Sequence, residues 1–372
     1  MSKKSFRIAL IVVASTLVVG LVVAGWFAWQ IREYPNTRRA GRGAEIVVKV
    51  KPRTPFIKVA AQLREQGVID RPFWFRIYAM RRGATDAIKP GDHVLRDNMT
   101  PKEVLDQLVE PVPEKTASVT LPEGQNMLEY FALFEQAGIA KAAELEALAR
   151  SPEFLQKLGL AGDNIDGYLF PDTYKFVVPT APAKVLERLV VAHRTVWTQL
   201  VREHGKALGK LKDRLKWSDR DVLILASIVE KEAVEPAERP RIAQVFVNRL
   251  TSPSFKPKRL ETDPTIRYGC LVPVQKSAAC IKWNEPCLAQ NLPVGCERLR
   301  RLQLDDRDNP YNTYQHEGLP PGPISNPGRA SLAATMNPDG SDYFFFVAKN
   351  PREHVFSKTL AEHQKAVDQY QR

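Results

Sequence analysis

The sequence predicts an α+β protein with an N-terminal transmembrane helix, a small α+β subdomain and a larger mixed α+β domain. An uncharged apolar run near the N-terminus is long enough to cross a bilayer as a helix. Short β-branched segments with alternating polarity, typical of strands, occur among longer segments with helical periodicity. The length of 372 residues, with a polar break near residue 112, favours about two globular units.

The apolar run covers residues 8–29 and contains no charged side chain. Its aromatic residues Trp26, Phe27 and Trp29 stand at the C-terminal end, where an interfacial belt is expected. A cleaved signal peptide is the alternative. The run is longer than a usual signal-peptide core, however, and no small-x-small cleavage site precedes a polar start. We therefore interpret residues 8–29 as an uncleaved transmembrane helix.

The chain carries a net charge of +12, which indicates an anionic partner. Nucleic acid, anionic lipid and an acidic cell-wall polymer all satisfy this charge. No basic run is interleaved with aromatic residues, and no zinc-finger or RNP-like pattern is present. These observations argue against nucleic acid as the partner.

All four cysteines lie in one short segment, at Cys270, Cys280, Cys287 and Cys296. Zinc sites usually contain closely spaced C-x-x-C pairs, and each gap here is wider. Two disulfides fit better, with three pairings open, and disulfides require an oxidising compartment. Positive charges flank the apolar run on both sides and leave its orientation open. The cysteines therefore favour a cytoplasmic tail at residues 1–7, with the bulk of the protein outside the cytoplasm.

A polar, arginine-rich linker at residues 30–44 precedes the small module, which we place at residues 45–112. The module begins with a strand, "EIVVKVK", and continues with two helical segments, the second near residues 71–82. A further helix is predicted after Thr100, which is a good N-cap with Pro101 at the first helical position and Glu103 in the capping-box position.

The larger domain is placed at residues 113–372. It begins with a strand, a turn and a helix around "SVTLPEG". An irregular aromatic loop at 163–176 and a long amphipathic helix at 183–205 follow. Residues 259–329 are rich in Pro, Gly and Asn and predict little regular structure, which is typical of a functional or disulfide-tied region. "DYFFFVAK" predicts a buried strand, and residues 359–371 a closing helix.

The stretch "LASIVEKEA", residues 225–233, predicts the end of a buried helix that carries two carboxylates. Ser218 is a good N-cap for this helix, with Asp221 in the capping-box position. At about 100° per residue, Glu230 and Glu232 lie on the two flanks of the apolar face. We expect apolar neighbours to favour the protonated carboxyl of Glu230, as a general acid requires. The alternative is that both glutamates are ordinary solvated surface groups.

The rest of the sequence contains no other strong signal for a catalytic site. The six histidines are scattered without metal-ligand spacing. The motifs G-x-S-x-G, Walker A and G-x-G-x-x-G are missing from the sequence. We therefore predict neither a metal site nor a cofactor.

A series of motifs in fixed order resembles the YceG-like endolytic murein transglycosylases. They are a membrane anchor, "LPEG" at 121–124, "GYLFPDTY" at 167–174, "ASIVEKE" at 226–232, "VFVNRL" at 245–250, "TDPTIRYG" at 262–269, "YNTY" at 311–314, "GLPPGPISNPG" at 318–328, "YFFFV" and "HVFS". Each motif is weak alone, but the ordered set is specific and covers nearly the whole chain.

The resemblance implies that residues 45–112 are a LysM-like subdomain that contacts glycan, and that the remainder is catalytic. It implies cleavage of the β-1,4 bond between N-acetylmuramic acid and N-acetylglucosamine in peptidoglycan, leaving a 1,6-anhydro end. By position in "EKE", the catalytic glutamate is assigned to Glu230. The family also implies an inner-membrane location and an association with peptidoglycan synthases of the penicillin-binding class, through which nascent strands are ended.

Substrate-binding residues are expected among side chains that donate hydrogen bonds without adding a competing charge. The candidates are Tyr311, Asn312, Thr313, Tyr314, Asn248, Thr262, Asp263 and Asp166. For Asp263 a turn-forming role before Pro264 is an equal alternative.

Two positions depart from the family pattern, and one segment adds to it. Asp166 stands where the family usually has Glu, so its side chain is one methylene shorter, and Glu261 stands where Gln is common. Residues 270–308 form a cysteine-containing insertion near the expected cleft. A non-catalytic glycan-binding scaffold of the cell-wall machinery is the alternative function.

Overall fold

The uncharged run near the N-terminus forms one long helix, α1 (Lys3–Glu33), in the computed structural model, which describes residues 3–113 and 115–371. Residues 1–2 of the expected cytoplasmic tail lie outside the described residues. Within the described part of the chain, one helical stretch, Ile11–Asn36, is long and apolar enough to cross a membrane, and none of its apolar window is buried by protein. This helix is a candidate membrane anchor.

The chain divides into two units, Met1–Glu114 and Lys115–Arg372, and both contain helices and short strands. The predicted mixed α+β class is confirmed. The secondary structure of the described residues includes three two-stranded antiparallel sheets.

In the first unit, β1 (Glu45–Val50) pairs with β2 (Gly91–Arg96), with Glu45 opposite Arg96. The helices that complete its core are α2 (Phe56–Glu65), α3 (Pro72–Arg81) and α4 (Pro101–Val109). The Thr100 side chain accepts a hydrogen bond from the Glu103 amide, and Glu103 accepts one from the Thr100 amide in return. This capping box confirms the predicted start of α4.

The second unit contains two sheets and eleven helices within its described residues. Their bounds are β3 (Thr116–Thr120), α5 (Met127–Gln136), α6 (Ala142–Ala149), α7 (Pro152–Lys157), β4 (Thr173–Val177), α8 (Pro182–Leu215), α9 (Asp219–Glu232), α10 (Arg239–Thr251), α11 (Asp263–Leu271), α12 (Ala278–Ala289), α13 (Arg301–Leu304), α14 (Arg329–Met336), β5 (Phe345–Ala348), β6 (His354–Ser357) and α15 (Leu360–Tyr370). Strand β3 pairs with β4, and β5 pairs with β6.

Helix α9 is the central helix of this unit. Every residue from Val222 to Val229 is buried, and α9 packs against α10, α11 and α14. Neighbours on several sides thus bury more of the helix than the single apolar face predicted from periodicity. The predicted N-cap is confirmed, because the Ser218 hydroxyl accepts from the Asp221 amide.

Three local predictions were wrong. Residues 173–176 of the predicted irregular loop belong to β4, because the segment pairs with β3. Helix α8 continues past Gly205 and ends only at Leu215, where Lys216 adopts a left-handed conformation with φ of 57°. The segment 259–329 contains the short helices α11, α12 and α13. Glycine and proline marked these regions as irregular, but tertiary packing overrides such local signals.

The four cysteines form two disulfides, Cys270–Cys280 and Cys287–Cys296. Both bridges include a residue of α12, so they tie this helix to α11 on one side and to the following loop on the other. Trp283 of α12 packs with the first bridge in a small apolar cluster. Local cross-links therefore stabilise the insertion, which buries few of its apolar residues.

Candidate active site

The last turn of α9 carries Glu230, Lys231 and Glu232 to the point where the helix leaves the core. The helix ends there because Ala233 adopts an extended conformation. Side chains two residues apart on a helix point about 200° apart. The two carboxyl groups therefore enter different environments, one on each flank of α9.

Glu230 is held in an ion pair. Its side chain is only 5% exposed, and Oε1 lies 3.4 Å from Nη2 of Arg239, a residue of α10. Oε2 accepts a hydrogen bond from the Gly328 amide at 3.0 Å. The Arg239 guanidinium is itself fixed, because its Nε donates to Ser331 Oγ at 2.9 Å. Both oxygens of Glu230 thus have donors within the protein.

The "LPEG" loop covers this ion pair. Glu123 lies 4.0 Å from Arg239, and burial, followed by the charge of Glu230, raises the pKa of the Glu123 carboxyl. Gly124 adopts a left-handed conformation with φ of 77°, and its carbonyl accepts from Lys231 Nζ at 3.0 Å. A side chain at Gly328 would collide with the Glu123 carboxyl. Two carboxylates therefore share one arginine here.

Glu232, on the other flank, lines an open groove with a volume of about 540 Å³. Burial is the main cause that raises the pKa of Glu232, to about 7, with a further increase from the Asp263 charge and a decrease from Arg249. The side chains along the groove come from α10, the start of α11 and the residues before it, the 311–314 segment, and the C-terminal sheet and helix. They include Arg249, Glu261, Thr262, Asp263, Tyr314 and Phe345. The groove therefore presents a carboxyl group that is protonated at or just below neutral pH.

Three of the predicted binding residues meet in this groove. The Tyr314 hydroxyl donates to Asp263 Oδ1 at 3.0 Å, and burial followed by the Asp263 charge raises the pKa of Tyr314. Thr262 is 3% exposed, and its hydroxyl has no hydrogen-bond partner within the described residues. A buried hydroxyl without a partner is costly, so a ligand in the groove is a natural acceptor for it.

Arg249 lines the groove close to Glu232. Its guanidinium donates to the backbone carbonyl of Phe344 at 2.7 Å and lies over the rings of Phe255 and Phe345. Because α10 carries both Arg239 and Arg249, one helix supplies an arginine near each glutamate of α9. Only the first of these arginines is within ion-pair distance of its glutamate.

Asn312 and Thr313 lie behind the groove. The Asn312 amide donates to the carbonyls of Gln303, Leu304 and Asp306, and its oxygen accepts from the Tyr314 amide. The Thr313 hydroxyl accepts from the Thr262 amide at 3.0 Å. These contacts position Thr262 and Tyr314. The structural role of Asn312 and Thr313 is therefore to shape the loop.

Asp166 and Tyr311 lie in the core around Tyr268. Asp166 is fully buried and accepts hydrogen bonds from the Met127 amide at 2.6 Å and from the Tyr268 hydroxyl at 2.8 Å. Burial raises its pKa to about 7. The Tyr311 ring packs against Tyr268 with centroids 4.8 Å apart. Asp166, although one methylene shorter than the usual Glu, therefore has hydrogen-bond donors within the fold.

Asn248, the remaining predicted binding residue, joins α10 to the segment before β5. Its amide nitrogen donates to the carbonyls of Ser341 and Tyr343, and its oxygen accepts from Gln244. Glu261, the second departure from the family pattern, lines the groove and lies 3.9 Å from Arg249. Among the residues that the structure describes, no group of three or more His, Cys, Asp or Glu has the geometry of a metal site.

Several residues of the two sites were not singled out from the sequence. Glu123 and Arg239 surround Glu230, and Arg249 lies near Glu232. For Glu232, the sequence indicated only a position on the flank of α9 opposite to that of Glu230. The available signal was the presence of two arginines ten positions apart on α10, but the sequence does not specify which carboxyl each one approaches.

Comparison with known proteins identifies the family. The model of the YceG-like family matches residues 48–369. A Bacillus subtilis (strain 168) relative named endolytic murein transglycosylase is 29% identical over 328 residues, which are 84% of this chain and 81% of that protein. A Streptococcus pneumoniae R6 relative of the same name is 24% identical over 97% of this chain, which spans 65% of the length of that relative.

A solved structure has the same fold. The crystal structure of a yceG-like protein from Listeria monocytogenes aligns with a TM-score of 0.53 and 27% identity, covering 87% of this chain and 99% of that chain. The family resemblance of the ordered motifs is thereby confirmed, and the chain belongs to the YceG-like family.

Proposed function

We propose that this protein is a membrane-anchored endolytic lytic transglycosylase of peptidoglycan. It cleaves the β-1,4 bond between N-acetylmuramic acid and N-acetylglucosamine and leaves a 1,6-anhydro end. The names of the Bacillus and Streptococcus relatives support the activity. The observation that carries the proposal is the carboxyl of Glu232, which lies in an open groove with a pKa raised to about 7.

We assign the proton transfer to Glu232 rather than to Glu230. A general acid needs a proton to donate near neutral pH and must reach the substrate. Glu232 meets both requirements in the groove. Glu230, which the sequence favoured, already accepts hydrogen bonds from Arg239 and Gly328 with both oxygens. Its proposed part is to fix the last turn of α9 and thereby to position Glu232.

The reaction requires one carboxyl group. Glu232 donates its proton to the glycosidic oxygen as the C1–O bond breaks, and N-acetylglucosamine leaves with a free 4-hydroxyl. The 6-hydroxyl of N-acetylmuramic acid then attacks C1, and its proton passes to the Glu232 carboxylate. No water is consumed and the carboxyl is restored. Most glycosidases need a second carboxylate as nucleophile or base, a role that the 6-hydroxyl of the sugar fills here.

The other side chains in the groove have roles that follow from their contacts. The unpartnered Thr262 hydroxyl is positioned to donate to the substrate. Burial is the main cause of the raised Glu232 pKa, and the Asp263 charge raises it further; Asp263 also accepts from the Tyr314 hydroxyl. Phe345 offers an apolar surface for a sugar ring. Asn312 and Thr313 support Tyr314 and Thr262 through their hydrogen bonds. Asn248, Tyr311 and Asp166 have structural roles, because their contacts lie within the fold.

The proposed location is the bacterial inner membrane, with residues 8–29 spanning it and the rest in the periplasm. The exposed apolar surface of α1 and the two disulfides support this placement. In this arrangement residues 30–44 are the linker, 45–112 the LysM-like glycan-binding subdomain, and 113–372 the catalytic domain with its insertion at 270–308. Association with synthases of the penicillin-binding class, which would let the enzyme end nascent strands, rests on the family resemblance.

Digestion of purified glycan strands by the full chain in detergent tests the activity. Mass spectrometry of the products should find anhydro-muramoyl ends and no new reducing ends. New reducing ends would show that the protein is a hydrolase and not a transglycosylase. Unchanged strands that still bind the protein would support the alternative, a non-catalytic glycan-binding scaffold.

A further inference from the structure

Helix α3 of the first unit packs directly on the last turns of α1. The Trp74 ring lies 5.9 Å from the Trp26 ring and 4.7 Å from the Phe27 ring, centroid to centroid. Arg71, just before α3, donates to Gln30 Oε1 at 3.3 Å. Trp26 and Phe27 belong to the aromatic belt that marks the membrane–water boundary. If α1 spans a bilayer, α3 lies at the level of the lipid headgroups.

The exposed face of α3 has the composition of a helix that lies on a membrane. Phe73 is 60% exposed and Met80 is 50% exposed, and the exposed Arg76 lies between them on the same face. Residues 71–82 contain four arginines and no carboxylate. Such a face offers apolar side chains to the membrane interface and a guanidinium to lipid phosphates.

A cavity between α1 and α3 adds an anion-binding feature. It has a volume of about 690 Å³, and its lining includes Arg32 from the end of α1 together with Tyr78, Arg81 and Arg82 from α3 and its C-cap. Arg82 is paired with Asp106 at 3.1 Å. Arg32 and Arg81 have no carboxylate at ion-pair distance among the described residues, and guanidinium groups bind phosphate oxygens in a bidentate manner.

We propose that α3 docks on the surface of the bilayer that holds α1. Phe73 and Met80 enter the headgroup region, and Arg32, Arg76 and Arg81 bind phosphates of anionic phospholipids. The proposal rests on the membrane-anchoring part of the function proposed above. It adds a second membrane contact, which holds the first unit against the lipid surface instead of leaving it on a free linker.

The charge distribution favours lipid over other occupants of this face. The sugar rings of a glycan strand are uncharged, so a face that binds them does not require four arginines in twelve residues. Continuity with α1 favours lipid over a partner protein, because the same aromatic cluster contains the end of the apolar helix and the start of α3. Juxtamembrane arginines are attracted to an anionic lipid surface, so their removal should weaken the docking of this face.

Photo-crosslinking of the full chain in vesicles tests the proposal. A benzophenone amino acid replaces Phe73, Met80 or, as the control, Val94, which is 51% exposed on β2. The protein is reconstituted in vesicles that contain phosphatidylglycerol, recovered by flotation and irradiated. We expect a phospholipid adduct in the mass spectrum from positions 73 and 80, at a yield several-fold above that from position 94.

Arginine variants test the headgroup contact. Arg32→Gln combined with Arg81→Gln should lower the lipid adduct at position 73 several-fold, whereas the exposed Lys49→Gln on β1 should leave it unchanged. Zwitterionic vesicles should also lower the yield. Flotation without a lipid adduct, or with an adduct to protein, overturns the docking of α3 but leaves the anchor intact. Failure of the protein to float overturns both.

Discussion

Glu230 Oε1 lies 3.4 Å from Arg239 Nη2 in a buried ion pair, while Glu232, two residues further along the same helix, has no cation at ion-pair distance among the described residues. The two carboxyl groups therefore have different physical roles. The charge of Glu230 is compensated by Arg239, and its side chain is fixed in place. Glu232 lies beside Asp263 in an open groove, with a pKa raised to about 7.

The activity should depend on the protonation of Glu232. A general acid works in its protonated form, so kcat/KM should fall as the pH rises through about 7, the pKa of Glu232. Asp263→Asn removes a like charge and lowers this pKa, so the fall should begin at a lower pH. The pH profiles of kcat/KM provide the measurement. Asp213→Asn, an exposed change on α8, is the control, and an unshifted profile for Asp263→Asn would contradict the proposed coupling.

Arg239 should contribute strongly to stability. Arg239→Gln leaves the Glu230 carboxylate, 5% exposed, without its cation, which should cost about 3 kcal/mol of unfolding free energy. Adding Glu230→Gln should recover part of the loss, because the uncompensated charge is then gone. Denaturant unfolding of the catalytic unit, followed by near-UV circular dichroism, measures both effects.

The matched control for this ion pair is Arg329, which pairs with Glu203 at 2.6 Å while both side chains are about half exposed. Arg329→Gln should cost less than about 1 kcal/mol. Equal losses for the buried and the exposed arginine would contradict the structural role given to Arg239.

Stability should decrease as the pH rises toward 8. Burial raises the pKa values of Glu232 and Asp166 to about 7, above the values of the unfolded chain. Such groups contribute stability that is fully present below the unfolded-state pKa and is lost as the pH rises through the folded-state pKa. Glu232→Gln removes one of these groups. Its melting temperature relative to wild type should therefore be higher at pH 8 than at pH 5, whereas the exposed Glu144→Gln should follow wild type at both pH values.

Reduction should loosen the insertion. The bridge Cys287–Cys296 closes a loop with a sequence separation of 9, and its loss should cost about 2.5 kcal/mol in the chain-entropy view. Cys287→Ala with Cys296→Ala should increase hydrogen exchange in α12 while α5 keeps its protection. Unchanged exchange in α12 would show that packing around Trp283 alone holds the helix.

Local rules predicted the helix starts, and tertiary contacts decided the site. Thr100 and Ser218 were predictable N-caps because capping depends on residues within one turn. The choice between Glu230 and Glu232 depends on Arg239 and Asp263, which come from α10 and α11. The sequence places both carboxyls symmetrically on α9, so it could not separate them.

The disulfide pairing and the length of α8 also depend on tertiary contacts that the sequence does not specify. Cysteine spacing left three pairings open, and α12 selects one by placing Cys280 toward Cys270. Gly205 predicted the end of α8, yet the helix continues for ten residues beyond it, to Leu215. Glycine lowers helix propensity by only about 1 kcal/mol, which packing readily offsets.

The most direct test of the central claim compares Glu232→Gln and Glu230→Gln in the formation of anhydro-muramoyl ends, with Glu144→Gln as the exposed control. Product mass spectrometry should find that Glu232→Gln lowers the rate by about 10²–10⁴-fold, the usual contribution of a general acid, at unchanged glycan binding. Glu230→Gln should retain measurable turnover with reduced thermal stability. Normal anhydro product from Glu232→Gln, together with complete loss of turnover in a folded Glu230→Gln protein, would contradict the assignment and return the proton transfer to Glu230.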